Sequence, residues 1–147
     1  MFTKRTRLCL LTSLAAIAGA LGVSTLAAAP QSEAGTSYQV RVTCTVPRSQ
    51  PERQLAPNSC LNYRPDGTQT YKARVRNSSG NPVAGVWVQW TDNSSDARFR
   101  SAQTPCRTNL NGVCSAELVD PTPRYGERIT VTATVGGSSA HGYLTFR

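Results

Sequence analysis

Alternation of apolar and polar residues runs through most of this chain and predicts strands. From Thr68 to Arg76, Tyr71, Ala73 and Val75 fall on one side and Lys72, Arg74 and Arg76 on the other. That two-residue period belongs to a β-strand with one buried face. Arg128 to Val135 is the most regular stretch, with Ile129, Val131, Ala133 and Val135 inward and threonines outward. Tyr38 to Cys44 directs Tyr38, Val40, Val42 and Cys44 to one face, and Val113 to Val119 does so with Cys114, Ala116 and Leu118. Val86 to Trp90, a short piece around Phe99 (Ala97 to Arg100) and Tyr143 to Phe146 complete the set. About seven short strands between Gly, Pro, Asn and Asp turns predict an all-β, antiparallel, immunoglobulin-like sandwich.

The strand from Val86 to Trp90 carries two tryptophans of opposite fate. With Val86 and Val88 inward, Trp90 also points inward and Trp87 points out. Trp90 is expected in the core. An outward Trp87 suits stacking on a sugar ring or anchoring a partner, unless another segment covers it. Between Pro47 and Pro65 the alternation lapses, and Pro47, Pro51, Pro57 and Pro65 argue against central strands. A long loop is expected there.

The first residues do not belong to this pattern. Lys4, Arg5 and Arg7 precede an apolar run from Leu8 to Leu26 that closes on Ala27, Ala28 and Ala29. These are the three parts of a secretory signal peptide, residues 1–29, with cleavage expected between about residues 27 and 34. An uncleaved anchor is the alternative, since the run is about long enough to span a bilayer. The remainder, from 37 to 147, is read as one domain with no span of its own and as a monomer.

Cleavage removes Cys9 and leaves Cys44, Cys60, Cys106 and Cys114. Four cysteines in a short exported chain predict two disulfides. Cys44–Cys60 would tie down the proline-rich loop, and the Asn111-Gly112 turn would bring Cys106 to Cys114. Cross-sheet pairing is the other arrangement. No CxxC pair exists and His141 is the only histidine, so no zinc site is expected. Removal of three of the sixteen Lys and Arg leaves thirteen against eight acids, a net charge of +5. That excess favours anionic wall polymers, polysaccharide or a membrane surface, and equally fits a basic soluble surface.

Candidate chemistry is sparse. His141 has no nucleophile in a recognisable setting, and Gly136 to Ala140 lacks the nucleophile-elbow order. Asp92 to Asp96 has alternating oxygen donors but neither the glycine nor the bidentate Glu of a calcium loop, and a polar turn is expected. No cofactor is expected. Asn77-Ser78-Ser79 and Asn93-Ser94-Ser95 fit the glycosylation sequon. Lys72, Arg74 and Arg76, with Arg41 beside them, make a cationic ribbon; protection of a sheet edge accounts for the same residues. Nucleic acid is not indicated, because the ribbon lacks aromatics at stacking spacing.

Four segments in order resemble those of bacterial immunoglobulin-like domains of the invasin/intimin type (Big-1). They are the strand entry Asp66 to Tyr71, the hairpin Asn77 to Val88, the turn Thr108 to Val113 and the penultimate strand Ile129 to Val135. The likeness spans roughly Ser37 to Arg147. The four cysteines and the proline-rich loop depart from the family pattern, as do Asn77 and Asn109 where Asp is usual. The resemblance implies spacer or adhesive modules and a bacterial source, in which neither sequon is expected to be modified. With one copy and no sorting tail in the sequence, the expected role is a secreted, non-enzymatic binding module. Its partner would be an extracellular protein, an anionic polysaccharide or a cell-wall polymer. The second reading is an inhibitor of an extracellular hydrolase acting through residues 47–65, and the third an enzyme with a dispersed site around His141.

Overall fold

The structure is a computed structural model, and it describes residues 37–46 and 53–147. The predicted signal peptide lies outside these residues. Ten described strands form two sheets: β1 (Gln39–Cys44), β2 (Arg53–Ala56), β3 (Ser59–Asn62), β4 (Thr68–Arg76), β5 (Trp87–Asp92), β6 (Arg98–Phe99), β7 (Cys106–Arg107), β8 (Val113–Val119), β9 (Arg128–Val135) and β10 (Ser138–Phe146). One sheet runs β1-β4-β8-β6 and the other β2-β3-β10-β9-β5-β7. The result is the expected immunoglobulin-like sandwich, in which each strand buries alternate residues against the facing sheet.

The core forms where those inward rows meet. Tyr71, Val75, Val88, Trp90, Leu118, Ile129, Val131, Leu144 and Phe146 are all buried. The Trp90 ring lies 5.3 Å from Phe99 and 6.4 Å from Tyr71, both tilted, the geometry aromatic pairs favour. Gly142 interrupts the buried row of β10 for a packing reason. A Cβ there would stand 2.8 Å from Val42 Cγ1 and 2.9 Å from Tyr71 Cε1, so its absence makes room for the Tyr71 ring.

Both disulfides join the two sheets. Cys44 on β1 pairs with Cys60 on β3, and Cys106 on β7 pairs with Cys114 on β8. The second is local in sequence, yet its strands belong to different sheets, so it is a cross-link and not the brace of a hairpin. Its turn, Asn109 to Gly112, closes through Gly112 N–H to Asn109 O at 2.9 Å. Gly112 sits at φ +68°, and a Cβ would lie 2.5 Å from Val75 O, so only glycine fits there. The Trp90 indole N–H donates to Cys106 Sγ at 3.1 Å. A buried tryptophan against an inter-sheet disulfide is a hallmark of immunoglobulin sandwiches.

Three sequence expectations need correction. Of the expected loop from 47 to 65, residues 47–52 lie outside the described residues, and the rest is not structureless: β2 and β3 form an antiparallel hairpin, and β3 pairs in parallel with β10. Pro57 stands in the hairpin turn, where its missing N–H costs nothing. The sandwich is therefore not wholly antiparallel. The segment that resembles a family hairpin, Asn77 to Val88, does turn back on β4, with Asn77 N–H donating to Asn81 O at 2.9 Å, Val83 N–H to Val75 O at 3.1 Å and Arg76 bridging Pro82, and it then crosses to β5 in the other sheet. Finally, β4 lies between β1 and β8 and is not an edge strand.

Candidate functional site

The interior position of β4 changes the meaning of its charges. Lys72, Arg74 and Arg76 project from the outer face of a strand paired on both sides, so edge protection does not explain them. In register, Arg41 on β1 stands directly opposite Arg74, with Thr43 opposite Lys72 and Gln39 opposite Arg76. Directly opposed like charges destabilise a sheet. All four cations are exposed. Together with Gln39, Thr43 and Val113 they line one shallow groove. Among the described residues none of the four forms an ion pair. Arg76 instead donates from Nη1 to Gly80 O at 2.7 Å.

The described acids lie elsewhere. Asp66 precedes β4, Asp92 ends β5, Asp96 precedes β6, Asp120 follows β8 and Glu127 precedes β9. Glu117, opposite Thr70 near that same end, is engaged by Arg100. All six therefore gather at the end where β4 and β9 begin. The other end, where β4 finishes and β5 and β8 begin, carries Arg74, Arg76 and Arg107 and no described acid. The first end also carries Arg64, Arg98, Arg100, Arg124, Arg128 and Arg147, so its charges nearly balance and the excess positive charge lies toward the other end.

At the acidic end the side chains are used for turns. Asp92 Oδ1 accepts from Ser94 N–H at 3.1 Å, and Ser94 Oγ accepts from the backbone of Asp96 and Ala97. This is the polar turn expected for 92–96. Burial pushes the Asp92 carboxyl above the usual carboxylate range; the Ser94 hydrogen bond opposes this and the nearby Asp120 charge adds to it. Asp120 is buried, with Oδ1 accepting from Thr122 N–H at 2.9 Å and Oδ2 unpartnered. No group of three His, Cys, Asp or Glu suited to a metal occurs among the described residues.

Trp87 projects from the outer face of the six-stranded sheet and is 57 % exposed, while Trp90 is 2 % exposed. The 53–62 hairpin does not cover it, because β2 and β3 lie at the opposite edge of that sheet. The Arg107 guanidinium lies 6.0 Å from the Trp87 ring centroid. On the same face His141 is exposed, and its Nδ1 lies 3.0 Å from Thr132 Oγ1. The carboxylates of the described chain are at the acidic end, so a hydroxyl, the imidazole and an acid do not converge. The hairpin itself lies along β10, held by Tyr143 N–H to Asn58 O at 2.7 Å and by Cys44–Cys60. It extends a sheet and does not project.

Sequence reasoning missed two residues at the basic end. Leu110 is 88 % exposed at the tip of the Asn109–Gly112 turn, and Arg107 braces Gly85 through Nε to O at 2.8 Å. The signal for Leu110 was a leucine flanked by turn-forming asparagines, where no strand face exists to bury it.

Comparison with known proteins agrees with the topology. The bacterial Ig-like domain (group 1) profile matches residues 65–147. Domains 4 and 5 of the S-layer protein SbsC superpose with a TM-score of 0.50 at 11 % identity, over 76 % of this chain and 53 % of that one. The longer rSbsC(31-844) structure gives 0.51 at 10 % identity, over 76 % of this chain and 13 % of that one. The chain thus spans about half of the first and about an eighth of the second, and at these identities the likeness is one of fold. No curated protein matches the sequence.

Proposed function

Because the chain belongs to the bacterial Ig-like domain (group 1) family, we propose that it is a secreted, non-enzymatic module that captures anionic surface polymer on its four-stranded sheet. One observation carries this reading: Arg41 and Arg74 are opposed in register on a face that also bears Lys72 and Arg76. Such a face lowers stability when empty and gains when a polyanion neutralises it. Guanidinium groups suit phosphate, sulfate or carboxylate, which they can bind through two parallel hydrogen bonds. The two inter-sheet disulfides fit an extracellular setting. The isolation of His141 from the carboxylates supports binding over catalysis.

The test is titration with dextran sulfate, using neutral dextran as control. Wild type is expected to bind only the sulfated polymer. The double variant Arg41→Gln, Arg74→Gln is expected to lose about tenfold or more in affinity, at about 1 kcal/mol per cation. Unchanged affinity in that variant would remove the face from the account.

A further inference from the structure

We propose a second binding site, at the basic end of the sandwich: an amphipathic tip that docks on an anionic lipid surface. It rests on residues outside the polymer-binding face except Arg74 and Arg76, so the two proposals can fail separately.

The tip is assembled by pairing at one end of the two sheets. Gly85 N–H donates to Thr108 O and Thr108 N–H to Val86 O, both at 2.9 Å, so the approach to β5 runs beside the approach to β8. Trp87 pairs with Arg107 across β5 and β7. On the other sheet Arg74 pairs with Val113, and Val75 N–H donates to Gly112 O at 2.8 Å. Leu110 lies between, at the apex of the turn that carries the chain from one sheet to the other. The end thus presents Leu110 at its tip, Trp87 with Arg107 on one shoulder and Arg74 with Arg76 on the other.

Three observations point to a lipid surface. Leu110 is 88 % exposed and Trp87 57 % exposed, which is a cost to a protein that remains in water. Both are residues that enter the headgroup–acyl boundary, Trp because its ring is apolar and its N–H polar. The flanking cations are all arginines, and no described acid shares this end, so the charge complements anionic headgroups. A protruding turn, unlike a groove, can insert a side chain without opening. A second copy of the chain is a poor occupant, because it would set Arg74, Arg76 and Arg107 against their own kind.

The experiment is co-sedimentation of the processed protein, its N-terminus fixed by intact mass, with two kinds of vesicle. One holds phosphatidylglycerol and phosphatidylcholine in equal parts, and the other phosphatidylcholine alone. Binding is expected to the anionic vesicles only, with a blue shift of tryptophan emission that Trp87→Phe abolishes. Leu110→Ser, at an exposed turn, is expected to weaken binding by about tenfold or more while leaving dextran sulfate affinity unchanged. Arg41→Gln with Lys72→Gln, away from the tip, is expected to show the reverse. Equal binding to neutral vesicles, wild-type binding by Leu110→Ser, or sedimentation without an emission shift would each overturn the tip. Vesicle binding without dextran sulfate binding would overturn the polymer reading and leave the tip standing.

Discussion

Replacing Arg41 by Gln is expected to stabilise the protein, and by an amount that salt controls. Arg41 and Arg74 face each other in register, with Lys72 and Arg76 on the diagonals. Opposed Cβ atoms stand about 5 Å apart and diagonal neighbours about 7–8 Å apart. Splayed side chains place the charges at roughly 7 Å and 10 Å, giving about 0.6 kcal/mol for the direct pair and about 0.4 for each diagonal in water. Screening at about 0.01 M salt leaves about 1 kcal/mol in total, and at about 1 M, where the Debye length is about 3 Å, roughly 0.1 kcal/mol. Glutamine keeps part of the aliphatic stem and removes the charge. Urea unfolding is the assay, since guanidinium is itself a salt and would erase the effect. The expected result is a midpoint raised at low salt and unchanged at high salt, with the same denaturant slope. A lower midpoint, or a shift independent of salt, would mean that Arg41 is held by contacts and the repulsion is not felt.

Further predictions concern the core, the cross-links and the acidic end. Tyr71 is buried with its hydroxyl unpartnered, and burial pushes that hydroxyl far above its ordinary pKa. Tyr71→Phe should therefore raise stability, by about 1 kcal/mol or more, in thermal unfolding. Replacing Cys44 and Cys60 by Ala should cost about 3 kcal/mol, the loop-closure value for a separation of 16 residues; urea midpoints measure it. Asp92→Asn should stabilise at neutral pH. Its raised carboxyl pKa means that the folded state holds the proton more tightly, so the ionised form penalises folding above the shifted pKa. As pH falls through that pKa and then the unfolded value the gain should fade, which unfolding at pH 7 and pH 3 would check.

Local alternation made most of the fold legible. It separated Tyr71, Ala73 and Val75 from Lys72, Arg74 and Arg76, and it told Trp90 from Trp87 without knowledge of pairing. The cysteine connectivity followed from loop lengths and one turn signal. Pairing order was not legible, because the partner of a strand is set by contacts distant in sequence. That is why β3, four residues between prolines, gave no sign of joining β10 in parallel. It is also why β4 was open to being read as an edge. The two-residue strand β7 was too short for any period, so nothing in the spacing revealed that Cys106–Cys114 joins two sheets. The separation of acids from the basic end depends on which loops share an end, which only the assembled sandwich reveals.

The central claim is that the face of Arg41, Lys72, Arg74 and Arg76 binds polyanions through charge. The direct measurement is the salt dependence of dextran sulfate affinity for wild type and for Arg41→Gln, Arg74→Gln. For a flexible polyanion each cation engaged contributes about −0.7 to the slope of log affinity against log salt. A wild-type slope of about −2 to −3 is expected for three to four contacts, and a slope shallower by about 1.4 in the double variant. A flat wild-type slope, or one that the double substitution leaves unchanged, would contradict it.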